Sequence, residues 1–329
     1  MLLRYNRARS GSPILDGLSS PTGEPMRTCL LIAAVLFLPT PAPAAQARPA
    51  TSATPAESLL VSAEWLKARR ADPDIVLLHV GMGHDTTRRD LIPGSVGWDY
   101  MDITLHAGAV STELPPIDSL RSLIEAAGIS NSNRVVIYSY NPVMAARAFV
   151  TLEVAGHERL HVLDGGAVSW KAADGPVVAN AERPRARGRF VPRLRTDVVV
   201  DADWLRARLE DPAVTLIDTR TLEEYTGTGD RRGIPSAGHL AGARHLVWEE
   251  MFRSREDPRL KPKHEILAMY HERGATDGKT VVTYCYIGYR ASISYFVARY
   301  LGFDAKFYDG SYQDWSLRQL PLVAGEKPR

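Results

Sequence analysis

The sequence predicts an α/β protein of two tandem domains, each a doubly wound, mainly parallel sheet with helices on both faces. Three observations point there. The chain is written twice, its short Val- and Ile-rich strands alternate with helical stretches, and both copies end on the same Asp-Gly and Trp pattern. The 329 residues leave room for two domains of ordinary size. A composition that is 45% apolar and 24% charged is that of a globular chain.

The duplication can be followed element by element. Residues 61–69 (VSAEWLKAR) read against 200–208 (VDADWLRAR). Each is followed by Asp-Pro, at 72–73 and 211–212, and then by an apolar strand, 75–80 and 214–219. The strands 134–138 and 280–284 each lead into a helix that closes on Gly156 or Gly302. Asp164-Gly165 and Asp309-Gly310 come next, with Trp170 and Trp315 five residues beyond the glycine. Continuous apolar strands joined by crossover helices imply a parallel sheet covered on both faces. The first domain is therefore placed at 57–178 and the second at 197–323. Between them, 179–196 carries Arg183, Arg185, Arg187, Arg189, Arg193 and Arg195 and reads as a solvated linker over the surface.

The amino-terminal region has a different character. Residues 1–25 lack hydrophobic periodicity, and Met26 opens a new pattern: Arg27, the apolar run 29–38, then a Pro- and Ala-rich stretch to residue 47. That order predicts a secretory signal at 26–47, with 1–25 a non-native upstream start. The apolar run is too short for the roughly 20 residues that span a bilayer. Export, to the periplasm, is expected, with no stable membrane insertion. Removing residues 1–47 takes away four of the 40 basic and two of the 38 acidic residues, so the formal charge falls from +2 to zero. That balance gives no case for nucleic acid as a partner. Cys29 leaves with the signal, and Cys285 remains the only thiol. A monomer is expected.

Cys285 sits where a Val-rich strand meets a helix, in Cys285-Tyr286-Ile287-Gly288-Tyr289-Arg290. After it, Ile293, Phe296, Val297, Tyr300 and Leu301 make one apolar helical face. In open parallel sheets the carboxyl edge of the strands is where ligands bind. A helix amino terminus stabilises negative charge, and placement there lowers a cysteine pKa from about 8.5 toward roughly 3.5–7.5. Gly288 lets successive N–H groups of 286–290 converge on the sulfur, and Arg290 adds a cation as the expected anion contact.

The segment resembles the active-site loop of the rhodanese family, Cys-x-x-Gly-x-Arg. Upstream, Asp218-Thr219-Arg220, then Glu224-Tyr225-Thr226-Gly227, then His239-Leu240-Ala241-Gly242-Ala243 are similar to that family's signatures in their usual order. The resemblance covers about residues 57–323 and implies a tandem sulfurtransferase. Cys285 would take sulfane sulfur from a small donor as a persulfide and pass it to cyanide, a thiol or a protein thiol. The backbone of 286–290 would cradle the transferred sulfur. Asp218, Arg220, Glu224 and His239 are supporting residues, Asp218 and Arg220 as braces and His239 as a structural hydrogen bond. No cofactor is implied, and no His, Cys and carboxylate spacing suits a metal. Arg231 and Arg232, on a Gly-rich insertion, are read as solvated charge near an entrance.

In the first copy Ser139 stands where Cys285 does, Pro142 replaces Gly288 and Met144 replaces Arg290. His79, Gly81 and Leu91 replace Asp218, Arg220 and His239. The first domain is therefore expected to be a non-catalytic structural partner closing one side of the second domain's cleft, an arrangement that resembles tandem members of that family. The donor stays open. Thiosulfate-using tandem enzymes carry a cation two positions after the cysteine, where this chain has Ile287, and Glu224 fills a position expected to be basic. Mercaptopyruvate-using relatives favour a Cys-Gly-Ser-Gly loop, also absent, so thiosulfate is placed slightly ahead of 3-mercaptopyruvate. A phosphatase or arsenate reductase on the same scaffold uses a loop one residue longer, which the spacing here disfavours. A non-catalytic sulfur-carrier or binding module is the remaining alternative.

Overall fold

The computed structural model describes residues 58–83, 90–179, 186–229 and 237–328. The expected signal peptide and upstream start, Cys29, Arg183, Arg185, Arg231 and Arg232 lie outside the described residues.

The first half runs β1 (Leu60–Val61), α1 (Ala63–Arg69), β2 (Ile75–Gly81), β3 (Ser95–Asp99), β4 (Leu105–Ala107), β5 (Val110–Glu113), α2 (Ile117–Ala126), β6 (Arg134–Tyr138), α3 (Pro142–Val154), β7 (Leu160–Leu163) and α4 (Gly166–Ala172). The second half follows as β8 (Val199–Val200), α5 (Ala202–Arg206), β9 (Val214–Asp218), α6 (Leu222–Thr226), β10 (His239–Leu240), β11 (Arg244–His245), α7 (Lys263–Glu272), β12 (Thr280–Tyr284), α8 (Ala291–Leu301), β13 (Asp304–Tyr308), α9 (Ser311–Leu317) and β14 (Leu322–Val323).

Two five-stranded parallel sheets result, ordered β1-β7-β6-β2-β3 and β8-β13-β12-β9-β11, the same order built twice. Side chains alternate across each strand. In β6, Val135 and Ile137 enter one core while Val136 and Tyr138 enter another. In β12, Val281 faces the first of these cores and Val282 and Tyr284 face a third. Helices therefore cover both faces: α3 and α8 on one side, α1 with α4 or α5 with α9 on the other. The shared core joins the halves, with Phe149 edge-on to Phe296 at 5.0 Å between ring centroids. The duplicated tryptophans make the same contact: Trp170 Nε1 donates to Pro176 O and Trp315 Nε1 to Pro321 O, both at 2.9 Å.

The described part of the arginine-rich linker, residues 186–196, is mostly exposed and is fixed at one buried ring. Phe190 is buried and stacks on His157, and the N–H groups of Gly188, Arg193 and Arg195 donate to the carbonyls of Glu125, Ala155 and Val154. The missing apolar periodicity hid a single anchoring aromatic. One buried ring and three backbone hydrogen bonds are enough to fix an otherwise polar segment. Among the described residues no helix is long and apolar enough to cross a membrane.

Candidate functional site

Cys285 follows β12 directly, at the carboxyl edge of the second sheet. Its N–H donates to Ser311 Oγ at 3.2 Å, and its carbonyl accepts the Tyr312 N–H at 3.0 Å. Ser311 adopts φ +51°, a backbone region that only glycine enters without cost, and donates its own hydroxyl to Tyr308 O. The matching residue of the first copy is Gly166, φ +52°. The second half thus bears a strained serine in order to grip the cysteine's backbone.

Gly288, φ +81°, turns the loop back toward α8. A Cβ there would lie 2.6 Å from Asp309 O, so the close approach and the left-handed backbone both require glycine. Among the described residues, none accepts a hydrogen bond from the N–H groups of Ile287, Gly288, Tyr289 or Arg290. The first copy differs here. Asn141 Oδ1 caps the Val143 N–H of α3, Pro142 removes another donor, and Ser139 Oγ accepts the Asn141 N–H. A hollow of about 20 Å³ beside Ser139, Tyr140 and Phe296 holds little more than one water.

The supporting residues separate into two groups. Asp218 receives Tyr284 Oη at 2.6 Å and the Arg220 guanidinium, also at 2.6 Å, so it fixes the strand residue just before the cysteine. Arg220 lies 4.0 Å over the ring of Tyr312 and also donates to Gly238 O. In the first copy His79 packs tilted against Tyr138, whose hydroxyl instead meets Ser95 and the Ile92 N–H. His239 stacks on Tyr225 at 3.7 Å, and its ring nitrogens face the carbonyls of Tyr225 and Lys327. Burial holds its pKa below the usual imidazole value. It ties Lys327 to α6.

Arg290, expected as the anion contact, has Nη1 and Nη2 bound to Glu224, at 2.6 and 2.9 Å. The side chains keep 17% and 9% of their surface exposed. Two long chains of opposite charge projecting toward one loop find each other before they find solvent. Burial raises the Glu224 pKa, but hydrogen bonds and charge from Arg290 more than offset that and hold it below the ordinary carboxylate range. A depressed carboxylate stabilises the folded state above its unfolded pKa, and that contribution is lost as pH falls through the folded value. The melting-temperature gap between the wild-type chain and Glu224→Gln is therefore expected to be full at neutral pH and to close in acid. A gap that widens in acid would refute the pairing.

The first half lies against one side of the Cys285 loop, through contacts that the motifs do not specify. The β4–β5 hairpin lies over the loop, with the Thr112 hydroxyl donating to Ile287 O and the Ser111 N–H to Gln313 Oε1 at 2.8 Å. Thr112 itself sits at φ +61°, strained for a β-branched residue. The Leu114 N–H donates to Asp309 Oδ2 at 2.7 Å, and Arg147 of α3 reaches Asp309 Oδ1 at 2.7 Å and Thr112 O at 2.5 Å. Burial, with Asp309 nearby, raises the Glu113 pKa well above the usual carboxylate value. Tyr100 stands edge-on to Tyr289 at 5.2 Å, and Asn141 Nδ2 donates to Tyr289 Oη. Tyr286 stacks loosely on Tyr312. Beneath this cover Cys285 has 0% of its surface exposed. The one available signal was Arg147, a lone cation amid the apolar residues of α3.

A family model described as "Rhodanese-like domain" matches residues 62–173 and again 201–318. The chain is 29% identical over 294 residues to "Sulfur carrier protein TtuD" of Thermus thermophilus, covering 82% of this chain and 98% of that protein. It is 26% identical over 309 residues to "Thiosulfate/3-mercaptopyruvate sulfurtransferase 1, mitochondrial" of Arabidopsis thaliana, covering 84% and 81%. Its fold matches a crystal structure of the Escherichia coli 3-mercaptopyruvate sulfotransferase SseA with TM-score 0.69 at 22% identity, over 78% of this chain and 99% of that one. Two matched repeats, one sheet order built twice and a cysteine loop at the second sheet's edge agree: the chain belongs to the rhodanese-like domain family, as a tandem-domain, sulfurtransferase-like member.

Proposed function

We propose that the chain is a sulfurtransferase in which Cys285 carries sulfur as a persulfide and the first domain is non-catalytic. The observation that carries this reading is the thiol's place: at a strand's carboxyl end, in a glycine loop whose N–H groups at 287–290 have no partner among the described residues. Such a loop suits a sulfur anion. In the first half-reaction the Cys285 thiolate attacks the terminal sulfur of a sulfane-sulfur donor. A new S–S bond forms, the donor's bond breaks, and the donor's remainder leaves with the electron pair. From thiosulfate the leaving group is sulfite. In the second half-reaction a nucleophile such as cyanide or a thiol attacks the outer sulfur, and Cys285 thiolate is released. No cofactor, external oxidant or reductant enters. Thiosulfate, a donor named for several relatives, is the first to test. A relative named as a sulfur carrier supports a protein thiol among the acceptors. We further infer export of a chain beginning after residue 47, to be checked by amino-terminal sequencing of the periplasmic fraction.

The complete burial of Cys285 favours a second reading, an inert structural cysteine, because free cysteines are commonly buried. The sulfurtransferase reading requires the hairpin to part from the loop. Intact mass spectrometry after exposure to donors separates the two. The expected result is a gain of about 32 Da, removed by reductant and absent in Cys285→Ala. An unchanged mass with every donor, together with no alkylation of the native chain, would leave only the structural cysteine.

A further inference from the structure

The guanidinium groups packed around the Cys285 loop among the described residues are each matched by a carboxylate. Arg290 is bound by Glu224, Arg220 by Asp218 at 2.6 Å and Arg147 by Asp309 at 2.7 Å. The last two pairs are almost sealed, with side-chain exposures between 0% and 6%. Ile287, two residues past the thiol, adds no charge, and its carbonyl is held by Thr112. The walls are otherwise aromatic: Tyr100, Tyr286, Tyr289 and Tyr312. What remains among the described residues to meet an anion is the set of loop N–H groups, which are dipoles. Dipoles of this kind stabilise one negative charge well, but a second must enter a poorly solvated site whose described residues carry no net positive charge.

We infer that the site selects a singly charged sulfane-sulfur donor over the dianion thiosulfate, with the Glu224 carboxylate as the residue that sets this preference. The inference rests on the sulfurtransferase reading and reverses the order of donors that the sequence suggests. Glu224 lies within bonding distance of the loop's own arginine and cancels the cation that would otherwise offset a second negative charge. With a singly charged donor of the thiosulfonate class, Cys285 bonds to the terminal sulfur, the donor's S–S bond breaks, and a sulfinate leaves with the electron pair.

Methanethiosulfonate and thiosulfate differ by a methyl group in place of one charged oxygen, so they are close in size and one charge apart. Loading of Cys285 by each is followed by intact mass in the wild-type chain and in Glu224→Gln. The wild-type rate constant is expected to favour methanethiosulfonate by about 10- to 100-fold. Glu224→Gln should narrow that ratio at least tenfold, chiefly by speeding thiosulfate. Comparing ratios between the two proteins cancels the intrinsic difference between the leaving groups. Thiosulfate loading as fast as methanethiosulfonate, or a ratio untouched by Glu224→Gln, overturns the inference. Should Glu224→Gln melt early, raising the ionic strength of the wild-type assay should narrow the same ratio by screening, and a flat ratio overturns the inference. Should neither donor load Cys285, the sulfurtransferase reading fails by itself. Equilibrium binding of the two anions to Cys285→Ser then decides the charge preference, and equal or tighter binding of thiosulfate sinks it.

Discussion

Arg147→Met is expected to cost about 3–5 kcal/mol of folding stability, the largest single effect foreseen outside the cysteine itself. Arg147 is fully buried, and its guanidinium holds Asp309 and the Thr112 carbonyl while lying 5.5 Å over the ring of Phe307. Burial opposes its charge, but the Asp309 carboxylate more than offsets that, so Arg147 stays ionised. Methionine fills a similar volume without charge. It would leave the Asp309 carboxylate, 6% exposed, with the Leu114 N–H and no cation. The double variant Arg147→Met/Asp309→Asn removes both charges and should recover at least 1 kcal/mol relative to the sum of the single changes. Urea denaturation of the four proteins measures this. Independent, additive losses would mean that the pair does not act as a unit. The same single variant frees one anchor of the hairpin, so alkylation of Cys285 should accelerate even where the chain remains folded.

Gly288→Ala is expected to lower sulfur transfer by about 100-fold or more while costing only about 1–3 kcal/mol of stability. The left-handed backbone at φ +81° penalises any Cβ by about 1–2 kcal/mol. The added carbon would also stand 2.6 Å from Asp309 O and 3.1 Å from Asp309 Oδ1, so loop or acidic residue must shift. Asp309 is held by Arg147 and Leu114, and the loop is therefore the part that moves. A displacement near 1 Å at a reacting centre typically costs two orders of magnitude in rate. Single-turnover loading and thermal melting, compared side by side, test this. A variant that melts early yet loads at the wild-type rate would show that the loop's curvature is structural only.

The fold was legible because each of its causes is local or repeated. The apolar runs at 134–138 and 280–284 are the observed β6 and β12, and the glycines 156 and 302 stand just beyond α3 and α8. In the linker nothing in the sequence signals the anchor at Phe190, because a single aromatic has no period to detect. Around the thiol, short spacings place the loop between a strand and a helix, and Asp218 and Arg220, two residues apart, do meet. The bond between Arg290 and Glu224 has no such local signature, because the two lie 66 residues apart.

By itself the sequence determined the duplication, the strand–loop–helix unit that carries Cys285, and the replacement of Cys285, Gly288 and Arg290 by Ser139, Pro142 and Met144 in the first copy. These follow from residue type and spacing within a few turns of chain. Only the tertiary structure decided which first-half residues cover the thiol, that Arg147 is matched across the two halves to Asp309, and that Glu224 pairs with Arg290. Charge pairing and burial depend on which distant segments meet, and linear spacing holds no record of that until the two halves have packed.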